Sequence, residues 1–139
     1  MQKIVIDTDI IVSALIQRSY PFHILNEIFS NSEIRICISD ELFKEYFDVL
    51  NRKKFSKYSN FVSNVQLILT EIERISINYK PKTKVDILSD KDDNKLLELA
   101  KESRADFLIT GNHTDFNIKQ FEKTKIVNPK EYWLEYILR

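Results

Sequence analysis

Residues 3–9 read Lys3-Ile4-Val5-Ile6-Asp7-Thr8-Asp9, an apolar stretch that runs straight into two carboxylates. A short continuous apolar run suits a strand buried on both faces, as in a parallel sheet covered by helices. Ligands of open α/β sheets bind just beyond the carboxyl ends of the strands, so Asp7 and Asp9 stand where such a protein does its chemistry. A carboxylate at that edge is costly to desolvate unless it meets a cation or a metal. The plainer alternative is that Asp7 or Asp9 caps the helical pattern at 10–17.

Outward from this stretch, apolar periodicity predicts strands at 3–6, 34–38, about 75–79, 106–110 and 125–128. Helical patterns fill 10–17, 21–30, 40–53, 58–74, 92–104, 115–122 and 129–138. Pro21 and Pro129 each stand near the first position of a helix, where the missing N–H costs nothing. Strands alternating with helices predict an α/β fold, a three-layer α/β/α sandwich around a mostly parallel sheet of about five strands. The chain of 139 residues, 43% hydrophobic and 12% aromatic, suffices for one two-sided core and is too short for two. Residues 1–139 are therefore expected to form a single domain.

The 21 basic and 21 acidic residues cancel, so bulk attraction to nucleic acid is not evident. A polyanionic partner would have to be held by a local patch or by metal. Lys53, Lys54 and Lys57, with Lys80, Lys82 and Lys84, are candidates for backbone contacts, although a solvated face is the ordinary use of such lysines. The single cysteine, Cys37, excludes an internal disulfide, fits a reducing cytosol and reads as a buried strand residue rather than a nucleophile. The chain opens directly into a strand and has no apolar run of about 18 residues, which predicts a soluble cytoplasmic protein without membrane contact. Its one glycine, Gly111, rules out a phosphate-cradling glycine loop. Gly111 follows Phe107-Leu108-Ile109-Thr110 and marks a strand end where the backbone turns sharply or approaches something closely.

Acids recur at three further places. In helix 40–53, Leu42, Tyr46 and Val49 form one stripe, and Glu45 borders it while Glu41 projects outward. The plain structural use of Glu45 is an edge pair with Arg52 or Lys44. In helix 92–104, Asp93 shares the face of Leu97 and Ala100, whereas Asp90 reads as the cap and Asp92 as a first-turn acid. The strand ending at Thr110 is followed by Asn112, His113, Thr114 and Asp115; there Asn112 or Thr114 serves most plainly as a cap and His113 as a loop histidine. Asp7, Glu45, Asp93 and Asp115 thus come from four elements that converge at one end of a parallel sheet. Like charges cannot remain ionised together without a counter-charge. An oxygen-only donor set points to a hard cation, Mg²⁺ or Mn²⁺.

The whole chain resembles the PIN domain, a nuclease fold found in many prokaryotic toxins of toxin–antitoxin pairs. Val5-Ile6-Asp7-Thr8-Asp9 through Leu15 is similar to the family's first motif, apolar-Asp-Thr-Asn-apolar. Ser39–Leu50 matches the second, with Glu45 at its acidic position. Asp90–Ala100 matches the third, with Asp93 in the acidic place, and Ala105–Asn112 resembles the fourth. Ile126–Tyr132 is similar to the closing strand and helix. The chain departs from the pattern twice, with Asp9 where the family usually has Asn and Asn112 where it often has Asp.

The resemblance implies metal-dependent phosphodiester hydrolysis, with RNA the substrate, an antitoxin the cognate partner and a homodimer the expected association. Asp7, Glu45 and Asp93 would hold Mg²⁺ or Mn²⁺, with Asp115, or else Asn112, completing the shell. Asp115 is the preferred fourth acid, because it carries a charge that Asn112 lacks and follows the glycine closely. Thr8, Asp9, Asp92, Thr110 and Asn112 are expected to orient water or phosphate oxygens. Two other readings compete. A catalytically degenerate PIN scaffold that only binds nucleic acid or a protein is favoured by Asn112 and opposed by the retained acids. A haloacid-dehalogenase-type phosphatase would use Asp-x-Asp as nucleophile and acid/base. That chemistry needs its Thr/Ser strand end before the acidic pair, and here Thr110 comes after Asp92-Asp93.

Overall fold

The opening apolar run becomes a strand in which Ile4, Val5 and Ile6 are completely buried. Side chains alternate between the two faces of a strand, so burial of three in succession means that both faces are covered. The computed structural model describes residues 1–58, 60–111 and 116–137. Its strands are β1 (Gln2–Ile6), β2 (Ile34–Ile38), β3 (Ile77–Asn78), β4 (Phe107–Ile109), β5 (Gln120–Phe121) and β6 (Thr124–Val127). They form one sheet in the order β3-β2-β1-β4-β6-β5, parallel except for the edge pair β5–β6.

This order decides where a site can form. The chain steps outward from β1 to β2 and β3, then returns to the other side of β1 to lay down β4. The direction of winding reverses between β1 and β4, and the crevice at their carboxyl ends is where open α/β sheets take ligands. Ile6 pairs with Ile109, so Asp7 and Thr110 leave the sheet side by side. The Asp7 N–H continues the ladder by donating to the Ile109 carbonyl at 3.0 Å.

The helices are α1 (Thr8–Ile16), α2 (Tyr20–Ser30), α3 (Asp40–Leu50), α4 (Phe61–Ile75), α5 (Lys91–Ser103) and α6 (Pro129–Tyr132). Helix α5 lies against β1, β2 and β4, while α4 packs on β2 and meets α1, α2 and α3. Two short polar residues set the starts of the helices that matter for the site. Ser39 accepts from Leu42 N–H at 3.1 Å and caps α3; Asp90 accepts from Asp92 N–H at 2.8 Å and caps α5. Pro21 and Pro129 sit in the first turns of α2 and α6. Cys37 is fully buried in β2. Among the described residues no helix is long and apolar enough to cross a membrane.

Two expectations need correction. The helix expected at 115–122 is absent over 116–122, where β5 instead forms the antiparallel edge and brings the strands to six. Here tertiary packing overrides the local pattern, because Phe116 is buried and Ile118 and Phe121 pack on the core. The helix expected over 129–138 begins as α6 and widens into a π-helical turn, Trp133–Ile137. Its aromatic stripe packs inward all the same. Tyr132 meets Phe107 edge-on, and the Tyr136 ring centroid lies 4.3 Å from that of Phe107.

Candidate active site

Asp7 occupies the N-cap position of α1, yet its side chain makes no capping bond. The Thr110 hydroxyl instead donates to Asp7 Oδ2 at 2.7 Å. The carboxylate is therefore aimed along the β1–β4 edge and does not cap the helix that follows it. Burial and the charge of Asp9 raise the Asp7 carboxyl to about 7, with a smaller push from Asp93. The Thr110 hydroxyl and the Thr8 backbone N–H hold it back.

Asp9 stands in the first turn of α1 and keeps contact with solvent. Its carboxyl is also pushed up by burial, opposed by backbone N–H groups that include those of Ile10 and Gly111. Gly111 explains how this carboxylate fits: a β-carbon there would stand 2.9 Å from Asp9 Oδ2. The close approach expected of the one glycine is thus to a side chain of this edge. Asp93 projects from the first turn of α5 and is 7% exposed. Since Asp90 is the cap, Asp93 is the inward acid of that turn, and its charge is felt at Asp7.

Glu45 reaches the edge from α3, where Thr8 donates a hydroxyl hydrogen bond to it. Neither Arg52 nor Lys44 forms an ion pair with Glu45; Lys44 pairs with Asp48 at 3.6 Å. Two residues outside the expected site, Tyr46 and Asn94, support this arrangement. The wholly buried Tyr46 donates its hydroxyl to the Ile6 carbonyl, tying α3 to the last residue of β1 beside Asp7 and Glu45. Burial, with the charges of Asp7 and Glu45, pushes its phenol well above the ordinary range. Asn94, 4% exposed, accepts from Leu88 N–H at 2.9 Å and donates to the Leu88 carbonyl at 2.8 Å, holding the preceding loop to α5. A polar residue next to Asp93 on the buried face was the available signal.

The edge therefore gathers Asp7, Asp9, Asp93 and Thr110, with Glu45 joined through Thr8. Asn112 and Asp115 lie outside the described residues. Among those described, no three acidic, histidine or cysteine side chains are grouped tightly enough to hold an ion as they stand. The donor set nevertheless fits a hard divalent cation: it is all oxygen, and the charges of Asp9 and Asp93 raise the proton affinity of Asp7, as neighbouring carboxylates without a counter-charge do. A groove of about 370 Å³ leads away between α3 and α5, with Glu45 and Asp92 on its walls beside Lys44, Arg52 and Lys95. None of the lysines singled out from the sequence lines it.

The PIN domain family model matches residues 3–114. The chain belongs to the PIN domain family. Members of that family are nucleases, and this PIN domain is a nuclease at that level. It is 31% identical over 143 residues to "Uncharacterized protein MJ1680" of Methanocaldococcus jannaschii, an alignment covering 96% of this chain and 91% of the relative. Its fold is similar to a chain in the crystal structure of VapBC2 from Rickettsia felis bound to a DNA fragment from their promoter. That match has a TM-score of 0.60 at 18% identity and covers 91% of this chain and 98% of the other.

Proposed function

We propose that this PIN domain is an Mg²⁺- or Mn²⁺-dependent ribonuclease of the cytoplasm and the toxin of a toxin–antitoxin pair, working as a homodimer. The observation that carries the reading is the position of Asp7, bonded to Thr110 at the β1–β4 switch point and pressed by the charges of Asp9 and Asp93. Asp7, Glu45 and Asp93 would hold the ion. A bound divalent cation supplies an acidified water and neutralises charge on the phosphate. Thr110 keeps the Asp7 carboxylate turned toward the edge, and Thr8 does the same for Glu45. In the groove beside Glu45, Lys44 pairs with Asp48 and Lys95 with Glu41, so Arg52 is the cationic group there for a phosphate backbone. RNA as substrate rests on the family resemblance, and an antitoxin partner is supported by the likeness to the VapBC2 structure.

The test is cleavage of labelled single-stranded RNA and DNA by the purified chain with Mg²⁺, Mn²⁺ or EDTA, with Asp7→Asn as control. Metal-dependent cutting of RNA, lost in Asp7→Asn, is expected. Cutting that persists in EDTA and in Asp7→Asn would overturn the reading.

A further inference from the structure

Charge is not spread evenly along this chain. Residues 49–70 contain no Asp or Glu, and the stretch carries four cations, Arg52, Lys53, Lys54 and Lys57. In a chain of zero net charge, that makes the segment between α3 and α4 a local source of positive potential. All four side chains are exposed, and none forms an ion pair among the described residues. The groove cations Lys44 and Lys95, by contrast, are engaged by Asp48 and Glu41.

The segment holds its cations in place. A 3₁₀ turn spans Lys53–Phe55, and the Lys53 carbonyl accepts from both the Ser56 N–H at 3.0 Å and the Ser56 hydroxyl at 2.7 Å. Phe55 stacks on Phe61 of α4 with ring centroids 5.1 Å apart, and Tyr58 packs on the core. The ammonium groups of Lys54 and Lys57 lie 5.1 and 5.4 Å from the centroids of Phe55 and Tyr58. Attraction to the anchored rings restrains side chains that would otherwise sweep through solvent. The turn also continues the groove: Glu45 and Arg52 both line it, about 10 Å apart along the axis of α3.

We propose that Arg52, Lys53, Lys54 and Lys57 form a phosphate track, along which a single-stranded RNA leaves the groove at Glu45 and crosses the turn after α3. The proposal rests on the nuclease reading above and names the path of its substrate. Lys80, Lys82 and Lys84, equal candidates by sequence, are not part of it. Lys82 N–H donates to the Glu102 carboxylate and Val85 N–H to that of Glu98, which sets their loop beside two acids of α5. Phosphate contacts fix position and add affinity without reading bases, so the track takes any sequence.

Anisotropy of labelled single-stranded RNA across a KCl series, with the full chain in EDTA, tests it; melting curves confirm that each variant is folded. Each phosphate neutralised on a single strand adds about 0.7 to the slope of log affinity against log salt. Replacing all four cations with Gln is expected to lower that slope by about 2–3, equally for RNAs of unrelated sequence. Replacing Lys53, Lys54 and Lys57 with Arg, or Lys80, Lys82 and Lys84 with Gln, is expected to leave it unchanged. An unaltered slope in the variant lacking all four cations overturns the track and leaves the turn to a protein partner. A loss confined to one RNA sequence, or an equal loss on replacing Lys80, Lys82 and Lys84, overturns it as well. Metal-dependent RNA cutting by the unaltered chain survives any of these results. RNA binding and cutting both absent from the unaltered chain sink the nuclease reading and the track together.

Discussion

Thr110 donates its hydroxyl to Asp7 Oδ2 at 2.7 Å, joining the residue after β1 to the residue after β4. The contact works on both geometry and charge, because it orients the carboxylate and favours its ionised form against burial and the neighbouring acids. Replacing Thr110 with Val keeps the shape and removes the donor. Nuclease activity should fall by about 10- to 100-fold, the loss of a hydrogen bond to a charged group being about 1.5–3 kcal/mol. Thr110→Ser should retain most of it. Steady-state cleavage rates across a Mn²⁺ series check this, and a fully active Thr110→Val would refute the orienting role.

Asp7 also makes stability depend on pH when metal is chelated. Its folded carboxyl titrates at about 7 against an ordinary 3.8, so the folded form binds the proton more tightly than the unfolded chain. The contribution to stability is fully present below the unfolded value and is lost as pH rises through about 7. In EDTA the protein should therefore lose about 3 kcal/mol from this group between pH 4 and 8, as an order of magnitude. Asp7→Asn should flatten that slope and melt higher than wild type at pH 8. Urea melts at several pH values decide it; parallel slopes for the two proteins would contradict the assignment.

Tyr46→Phe removes the one bond from α3 to the Ile6 carbonyl and leaves that carbonyl buried. A cost of about 1–3 kcal/mol is expected in denaturant midpoints. Activity should fall as well, because Glu45 precedes Tyr46 on the helix that the bond anchors. Destabilisation with undiminished cleavage would show that Glu45 is positioned by other contacts.

Gly111→Ala places a β-carbon 2.9 Å from Asp9 Oδ2. The displaced atom is the end of a side chain, so stability should change by no more than about 0.5 kcal/mol. Cleavage activity should drop in the wild-type background and stay put in an Asp9→Ala background, since contacting residues couple in a double-mutant cycle. Equal effects in both backgrounds would uncouple Gly111 from Asp9.

Much of this architecture was legible in the sequence because its signals are dense and local. The buried run before Asp7, the caps at Ser39 and Asp90, and the inward face of Asp93 each follow from spacing and residue type, and each occurs in the fold. The hairpin β5–β6 was not legible. Its turn places Glu122 at φ 52°, a conformation usually signalled by Gly or Asn, and neither is present. Long-range bonds set the turn instead: the Thr124 hydroxyl donates to the Ala105 carbonyl at 2.7 Å, and Lys125 N–H to the Asp106 carbonyl at 3.0 Å. The contact of Asp9 with Gly111 was likewise beyond any local pattern. From the sequence the glycine marks either a sharp turn or a close approach; the pairing of β1 with β4 shows that it meets Asp9.

That pairing also sets a schedule. Asp7 and Thr110 are 103 positions apart, and β4 is laid down next to β1 only after two intervening strands have been placed on the other side. Joining segments so distant is slow, because chain entropy must be given up before the contact repays it. A chain emerging from the ribosome carries Asp7 and Glu45 early but lacks the strand that orients them. Whatever the completed edge can cut, the nascent protein is unarmed until its last third has been made.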